Sequence, residues 1–225
     1  MSTIPVLDQL KALGTEQARK TYRRHGVTGE QYGVSYADLK NLKKKIKVNH
    51  DLAKELWASG VHDARLLALM IADPQRADRA LLDAWAYDVE NYPLSDAFAQ
   101  FVGQTALARE KMEQWTQSDD EWLGSTGWNV LGELAIHDKA LPDEYFERHL
   151  MIIARDLHSQ KNRVRHSMNG ALIAIGGRNP QLEGKSLAAA RIIGKVIVDH
   201  GATDCKTPDA TTYIAKIWAR QKAKA

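Results

Sequence analysis

The stretch that decides the fold is YGVSYADLKNLKKKIKVNHDLAKELWASGVHDARLLALMIADP, residues 32–74. Apolar residues recur there at helical spacing, which predicts three consecutive amphipathic helices. The second ends at Gly60, a residue type favoured just after a helix, and the third ends before Pro74. The apolar face of the first helix is predicted to consist of Tyr36, Leu39, Leu42 and Ile46.

The same first helix carries a second pattern, of positive charge. Four lysines stand at positions i, i+3, i+4 and i+7, a spacing that places them on one helix face. We call this set the lysine ridge, and it consists of Lys40, Lys43, Lys44 and Lys47. A ridge of this kind is suited to the phosphates of a polyanion. The alternative is an ordinary solubilising surface.

Composition limits the classes of protein to which this chain can belong. The 225 residues are 44% hydrophobic and 26% charged, which suits one domain over residues 1–225 and a monomer. The first residues, MSTIPVLDQL, lack the hydrophobic region of a signal peptide, so we expect a cytoplasmic protein. No apolar run approaches the ~20 residues that a transmembrane helix needs, so we expect no membrane segment. The single cysteine, Cys205, excludes an internal disulfide and leaves a thiolate zinc site without partners.

Charge is distributed in blocks although the net charge is only +3. Residues 1–50 hold ten basic and four acidic residues, a net charge of +6. Residues 51–160 hold nine and twenty, or −11, and residues 161–225 hold twelve and four, or +8. Two basic ends around an acidic middle are compatible with one anionic ligand that both ends face. Ordinary solvated faces are the alternative.

The remaining segments also predict helices, since sustained period-2 alternation and Asn-Gly hairpins are absent. GWNVLGELAI and NGALIAIGG repeat an apolar pattern 41 residues apart. A period near 40 built from helix pairs is typical of HEAT-like repeats, so the predicted fold is all-α, a curved α-solenoid. Accidental spacing in a generic helical domain is the alternative. Other predicted helices cover Ala97–Gln104, 184–199 and 208–222, the last capped by Thr207.

These residues carry a family resemblance. GVSYADLKNLKKKIK followed by HDLAKELWASGVHDARLLALMIADP resembles the bacterial DNA alkylation repair family, the AlkD-like alkylpurine DNA glycosylases. The resemblance continues through Asn91–Phe98, Glu121–Leu157 and VRHSMNGALIAIGGRN, in the same order. It implies a HEAT-like solenoid that holds double-stranded DNA and excises alkylated purines without a metal or cofactor.

The resemblance also implies a cleft of two tryptophans and one aspartate. An alkylated purine is cationic, so a carboxylate can stabilise the developing oxocarbenium ion while aromatic faces attract the cation. The first pair falls on Tyr92 and Asp96, which keeps the carboxylate and replaces Trp by a weaker cation–π partner. The second tryptophan falls on Gly170. Arginines usual near Ser125 and at Ile173 are also replaced.

Each candidate has a structural alternative. Asp96 precedes the helix predicted from Ala97, so helix capping alone would explain it. Catalysis by Asp96, with Tyr92 and Gly170 at the substrate, is therefore one hypothesis. A non-catalytic scaffold that binds DNA or protein is the rival, favoured by the missing ring at Gly170. The predicted DNA contacts are the lysine ridge together with Arg163, Arg165 and Arg178.

Overall fold

The computed structural model describes residues 3–223, and these residues form thirteen α-helices and no β-strand. The prediction of an all-α fold is therefore confirmed. Short 3-10 turns lie at Pro74–Arg76 and Leu157–Ser159. In chain order the helices are α1 (Thr3–Leu13), α2 (Glu16–Arg24), α3 (Tyr36–Ile46), α4 (His50–Ala58), α5 (His62–Ile71), α6 (Arg79–Tyr87), α7 (Tyr92–Val102), α8 (Ala108–Trp115), α9 (Glu121–His137), α10 (Asp143–Asp156), α11 (Asn162–Gly176), α12 (Pro180–Ile193) and α13 (Ala210–Lys222).

Several predicted helix starts and ends are wrong, and helix capping explains two of them. Helix α7 begins five residues early, at Tyr92, because the Asn91 side chain accepts the Leu94 N–H at 3.0 Å. Helix α13 is capped by Asp209, which accepts the Thr212 N–H at 2.8 Å, and not by Thr207. Helix α12 ends at Ile193, so residues 194–209 contain no helix.

The chain divides into two compact units, residues 1–107 with 201–203 and residues 108–200 with 204–225. The expectation of one domain over residues 1–225 stays a prediction. In the first unit, α5 packs against α3, α4 and α7. Its core includes stacked tryptophans, with the rings of Trp57 and Trp85 4.4 Å apart. The Trp57 indole N–H donates to Asp88 at 2.7 Å, which satisfies its one polar group.

The second unit repeats its contacts at the spacing that the sequence shows. Helix α9 packs on α11, and α11 packs on α13. The hydroxyls of Ser125 and Ser167, 42 residues apart, share a hydrogen bond of 2.7 Å. The Trp218 indole donates to the carbonyl of Gly176, also 42 residues away, at 2.9 Å. Equivalent positions of successive repeats therefore contact each other, as stacked HEAT-like pairs require.

Helix α9 also needs one of its glycines for packing. A Cβ at Gly127 would lie 2.7 Å from the backbone nitrogen of Thr116, so only glycine permits this approach to the end of α8. In residues 3–223, no helix is both long and apolar enough to cross a membrane.

Candidate functional site

The lysine ridge lies on the surface of α3, with every member exposed to solvent. Lys45 adds a fifth exposed lysine to the same helix. Within residues 3–223, no ion pair holds any of these five ammonium groups. They are therefore available to an anionic partner, and the opposite face of α3 buries Leu39 and Leu42 against the first unit.

A buried carboxylate fixes the chain that enters α3. Asp63, on α5, is fully buried and accepts the backbone N–H groups of Tyr32 and Val34, both at 2.6 Å. The N–H of Gly33 donates to the same side chain at 3.3 Å. Charged acceptors make the stronger hydrogen bonds, so Asp63 holds the start of the ridge helix to the core.

The ridge ends at a strained residue. Lys47 follows α3 with φ 62° and ψ −155°, and it is the one residue other than glycine with positive φ in the described chain. This region is normally occupied by glycine. Gly194 adopts nearly the same conformation after α12, with φ 67° and ψ −144°. A lysine therefore stands where the backbone favours glycine.

A cavity of about 340 Å³ opens beside the ridge within the first unit. Tyr36 and Lys43 of α3 line it from one side, and Asp96 and Gln100 of α7 line it from another. Lys43 therefore belongs both to the ridge and to the cavity wall. Apolar side chains complete the lining, among them Val48, Leu66, Leu69, Met70 and Phe101.

Asp96 lies within α7, since this helix begins at Tyr92 and is capped by Asn91. The capping explanation for Asp96 is therefore wrong, because another side chain performs that role. The Asp96 side chain is partly buried and contributes a carboxylate to a largely apolar cavity. A catalytic role for Asp96 stays a prediction.

The aromatic ring in this cavity is Tyr36, which the sequence pattern had placed on the apolar face of α3. Tyr36 is 42% exposed and does not belong to the core. Burial of its hydroxyl, and then the negative charge of Asp96, raise the pKa of Tyr36 to about 12. Tyr36 follows the Ser35 cap in the first turn of α3, where a side chain can face outward. This position is the feature of the sequence that could have indicated an exposed Tyr36.

Tyr92, the predicted lesion-facing ring, is occupied elsewhere. Its hydroxyl hydrogen-bonds Nδ1 of His25, and the two rings lie 5.6 Å apart. Tyr92 does not line the cavity that contains Asp96. A substrate contact by Tyr92 stays a prediction. The Tyr92 ring would have to contact the substrate while its hydroxyl stays bonded to His25.

The second unit carries the remaining predicted residues, all on or after α11. Gly170 is exposed, and a Cβ built there meets no atom within 4 Å. Its helix face therefore has room for the ring that the family resemblance implies. Arg163 is 7% exposed and its backbone N–H donates to Glu121 at 2.7 Å. Arg165 is partly buried and donates to Asn162 at 3.4 Å.

Arg178 is held in the packing of the second unit. Its guanidinium donates to the carbonyls of Ala135 and Leu141, both at 2.9 Å, and lies 4.6 Å from the ring centre of Phe146. Only 6% of its side chain is exposed. A DNA contact by Arg178 stays a prediction, and it would require these bonds to break.

Histidines of the first unit serve packing. His62 lies edge-on to the ring of Tyr22, 4.9 Å away, and burial lowers its pKa to about 4. His50 accepts the backbone N–H of Asp73 at 3.3 Å. Among residues 3–223, no three His, Cys, Asp or Glu side chains are grouped to hold a metal ion.

The stacked helix pairs define the chain as a HEAT-like helical-repeat protein. Residues 6–214 match the family described as DNA alkylation repair enzyme, and the chain belongs to this family. A solved structure covers 98% of the chain with a TM-score of 0.90 and 29% identity, and the chain covers 95% of it. That protein is described as one of a new family related to the HEAT-like repeat DNA glycosylases, with affinity for branched DNA structures.

Two bacterial relatives match over their whole length. The uncharacterized protein Lin0241 of Listeria innocua is 33% identical over 223 residues, which are 96% of this chain and 97% of the relative. The uncharacterized protein Lmo0209 of Listeria monocytogenes is also 33% identical, over 100% of both chains.

Proposed function

We propose that this protein binds DNA through the lysine ridge and favours branched over linear duplexes. One observation carries the proposal: four exposed lysines without ion pairs lie in α3 and a fifth, Lys47, follows it directly, while Lys43 also lines the Asp96 cavity. Lysines on one helix face neutralise backbone phosphates without reading the base sequence. The preference for branches is taken from the solved relative, which shares the fold.

The test compares a three-way junction with a linear duplex of the same base composition. Equilibrium binding should be tighter to the junction. Replacing Lys40 and Lys44 by Gln should weaken binding to both, since these two lysines face phosphates in either DNA. Equal affinity for the two DNAs would reject the preference for branches, and an unchanged affinity in the variant would reject the ridge.

A second function has its own observation in favour of it. Asp96 places a carboxylate beside the Tyr36 ring in a cavity that is open to solvent. In hydrolysis of an alkylated purine nucleotide, the glycosidic bond breaks with its electron pair moving to the cationic base, which leaves neutral. Water then bonds to C1′ and releases a proton. Asp96 would stabilise the oxocarbenium ion and orient this water, with Tyr36 as the aromatic face.

Base release decides this second function. Duplex DNA that carries methylated purines is incubated with the protein, and free base is measured by chromatography. Release that disappears in Asp96→Asn supports excision, because the amide keeps the shape and loses the charge. Release that persists in Asp96→Asn assigns the chemistry to other groups, and no release leaves DNA binding as the activity.

A further inference from the structure

A second cavity lies in the second unit, far in sequence from the ridge. Its volume is about 890 Å³, within the usual range of small-molecule sites, which is roughly 300–1,000 Å³. Its walls are the end of α12, the non-helical residues 194–200 and 206–209, and the first turn of α13. None of the residues predicted to bind DNA lines it.

Hydrogen bonds hold these non-helical walls in place. The side chain of Asn169, itself 1% exposed, donates to the carbonyl of Pro208 at 2.9 Å. His200 shares a hydrogen bond of 3.0 Å with the hydroxyl of Thr207. At the other side, Asn162 bonds both the N–H and the carbonyl of Asp199. The cavity is therefore formed before any ligand arrives.

The lining combines positive charge with an apolar surface. Arg191, Lys195 and Lys206 contribute three cations, and within residues 3–223 none of the three is in an ion pair. One carboxylate lines the cavity, that of Asp209, and it is committed to the Thr211 hydroxyl and the Thr212 N–H. Hydrogen bonds from the side chains of Thr212 and Thr211, and then from the Thr212 N–H, lower the pKa of Asp209 to about 2. The excess of positive charge favours an anion.

The apolar part of the wall is unusual for a surface. Ile197 lines the cavity while 67% exposed, and Val196 and Pro208 also line it. Ile192, 77% exposed, lies on the neighbouring last turn of α12. Proteins that bind DNA insert apolar side chains, isoleucine and proline among them, against bases while nearby Arg and Lys side chains provide positive charge.

We propose that this cavity binds a nucleoside monophosphate unit, with the base against Val196, Ile197 and Pro208 and the phosphate on Arg191, Lys195 and Lys206. The unit could come from a free nucleotide or from an unpaired strand of DNA. Only the second source rests on the proposed DNA binding. The cavity is then a second nucleic-acid contact, separate from the lysine ridge in sequence and in chemistry.

Titration of the full chain with dAMP, followed through the backbone amide resonances of a ¹⁵N-labelled sample, tests the proposal. Resonances of residues 191–211 should shift and saturate. The double variant Lys195→Gln with Lys206→Gln should bind at least tenfold more weakly. The matched control is Lys139→Gln with Lys222→Gln, two exposed lysines outside the cavity, and it should bind as the original chain does.

One further ligand, inorganic phosphate, and one further variant, Ile197→Ala, test the two halves of the site. Inorganic phosphate should bind more weakly than dAMP, and Ile197→Ala should weaken dAMP without changing phosphate. Absent shifts in residues 191–211, equal binding by the double variant, or phosphate as tight as dAMP would each overturn the proposal.

Competition between DNA and dAMP for the cavity identifies the source of the nucleotide. A duplex with an unpaired arm should displace dAMP and a blunt duplex should not, if DNA supplies the unit. Displacement by both duplexes would overturn the assignment to unpaired nucleotides. Unchanged DNA binding in the Lys40 and Lys44 variant would reject the ridge alone, because the binding of dAMP to the cavity does not depend on those two lysines.

Discussion

Tyr36 and Asp96 come from α3 and α7 and line one cavity, where the carboxylate of Asp96 contributes to raising the pKa of the phenol. The pair joins an aromatic face to a negative charge beside the basic helix. Neither the spacing of residues in α3 nor the family resemblance identifies Tyr36 as the ring next to Asp96. Their proximity results from the packing of α5 against both helices.

This relationship predicts how Tyr36 titrates. Its pKa, raised to about 12, should fall in Asp96→Asn and stay above its ordinary value of 10.0, because burial is the larger cause and remains. The absorbance of the Tyr36 phenolate is obtained as the difference between the protein and its Tyr36→Phe variant. Measured against pH with Asp96 and again with Asp96→Asn, this difference gives the pKa of Tyr36 in both proteins. An unchanged pKa in Asp96→Asn would show that the two groups do not interact.

The sign of the linked stability follows. The folded state holds the Tyr36 proton more tightly than the unfolded state does, so this contribution is complete below pH 10 and is lost as the pH rises towards about 12. Tyr36→Phe should therefore flatten the decline of stability over that interval. Thermal unfolding measured from pH 9 to pH 12 checks this expectation.

Asp63 should be critical for stability. Asp63→Asn removes the charge that holds three backbone N–H groups, and it turns an amide NH₂, which cannot accept a hydrogen bond, towards one of them. The free energy of unfolding should therefore fall by about 3 kcal/mol. Urea unfolding measures the change. Asp38→Asn is the control, since its carboxylate accepts an exposed Ser35 hydroxyl, and it should lose less than about 1 kcal/mol. Equal losses in both variants would contradict the assignment.

The sequence predicted much of this fold for physical reasons that are local. The apolar spacing in residues 36–46 and the repeated pattern around Leu131 and Leu172 depend only on neighbours in sequence. Leu39, Leu42, Leu131 and Leu172 are buried as expected, whereas Tyr36 at the start of α3 is exposed. The start of α7 was missed because Asn91 and Asp96 are both residue types that cap helices well, and the sequence pattern alone does not choose between them. The side chain of Asn91 is the one that accepts an N–H.

The candidate site was less predictable because it depends on contacts between distant residues. That Tyr92 bonds His25, 67 residues away, and that Arg178 bonds Ala135, 43 residues away, cannot be derived from spacing. The exposed lysines were predictable, since a cationic face opposite an apolar one must point to solvent.

Lys47 offers a test of strain at the end of the ridge. Lys47→Gly should stabilise the protein by about 1 kcal/mol, since relief of the backbone strain exceeds the entropy that glycine loses on folding. Lys45→Gly removes the same charge within α3 and should destabilise by about 1 kcal/mol. Urea unfolding of both variants measures the difference, and a destabilised Lys47→Gly would contradict the strain.

Gly170→Trp should be tolerated. A Cβ there meets nothing within 4 Å, and glycine is the poorer helix former, so stability should rise slightly or stay within about 1 kcal/mol. Gly127→Ala is the contrast, because its Cβ would lie 2.7 Å from the Thr116 backbone nitrogen. It should lower the melting temperature by several degrees, since about 1–3 kcal/mol is lost. A melting temperature lowered equally by both would contradict this reading of Gly170.

The salt dependence of DNA binding tests most directly whether the lysine ridge contacts the phosphates of DNA. In the triple variant of Lys40, Lys44 and Lys47 to Gln, the slope of log K against log salt should fall in magnitude by about 3, since each phosphate contact contributes about 0.9. Lys139, Lys216 and Lys222 changed together to Gln remove the same charge elsewhere and should leave the slope unchanged. An equal slope in both triple variants would contradict the assignment of DNA binding to α3.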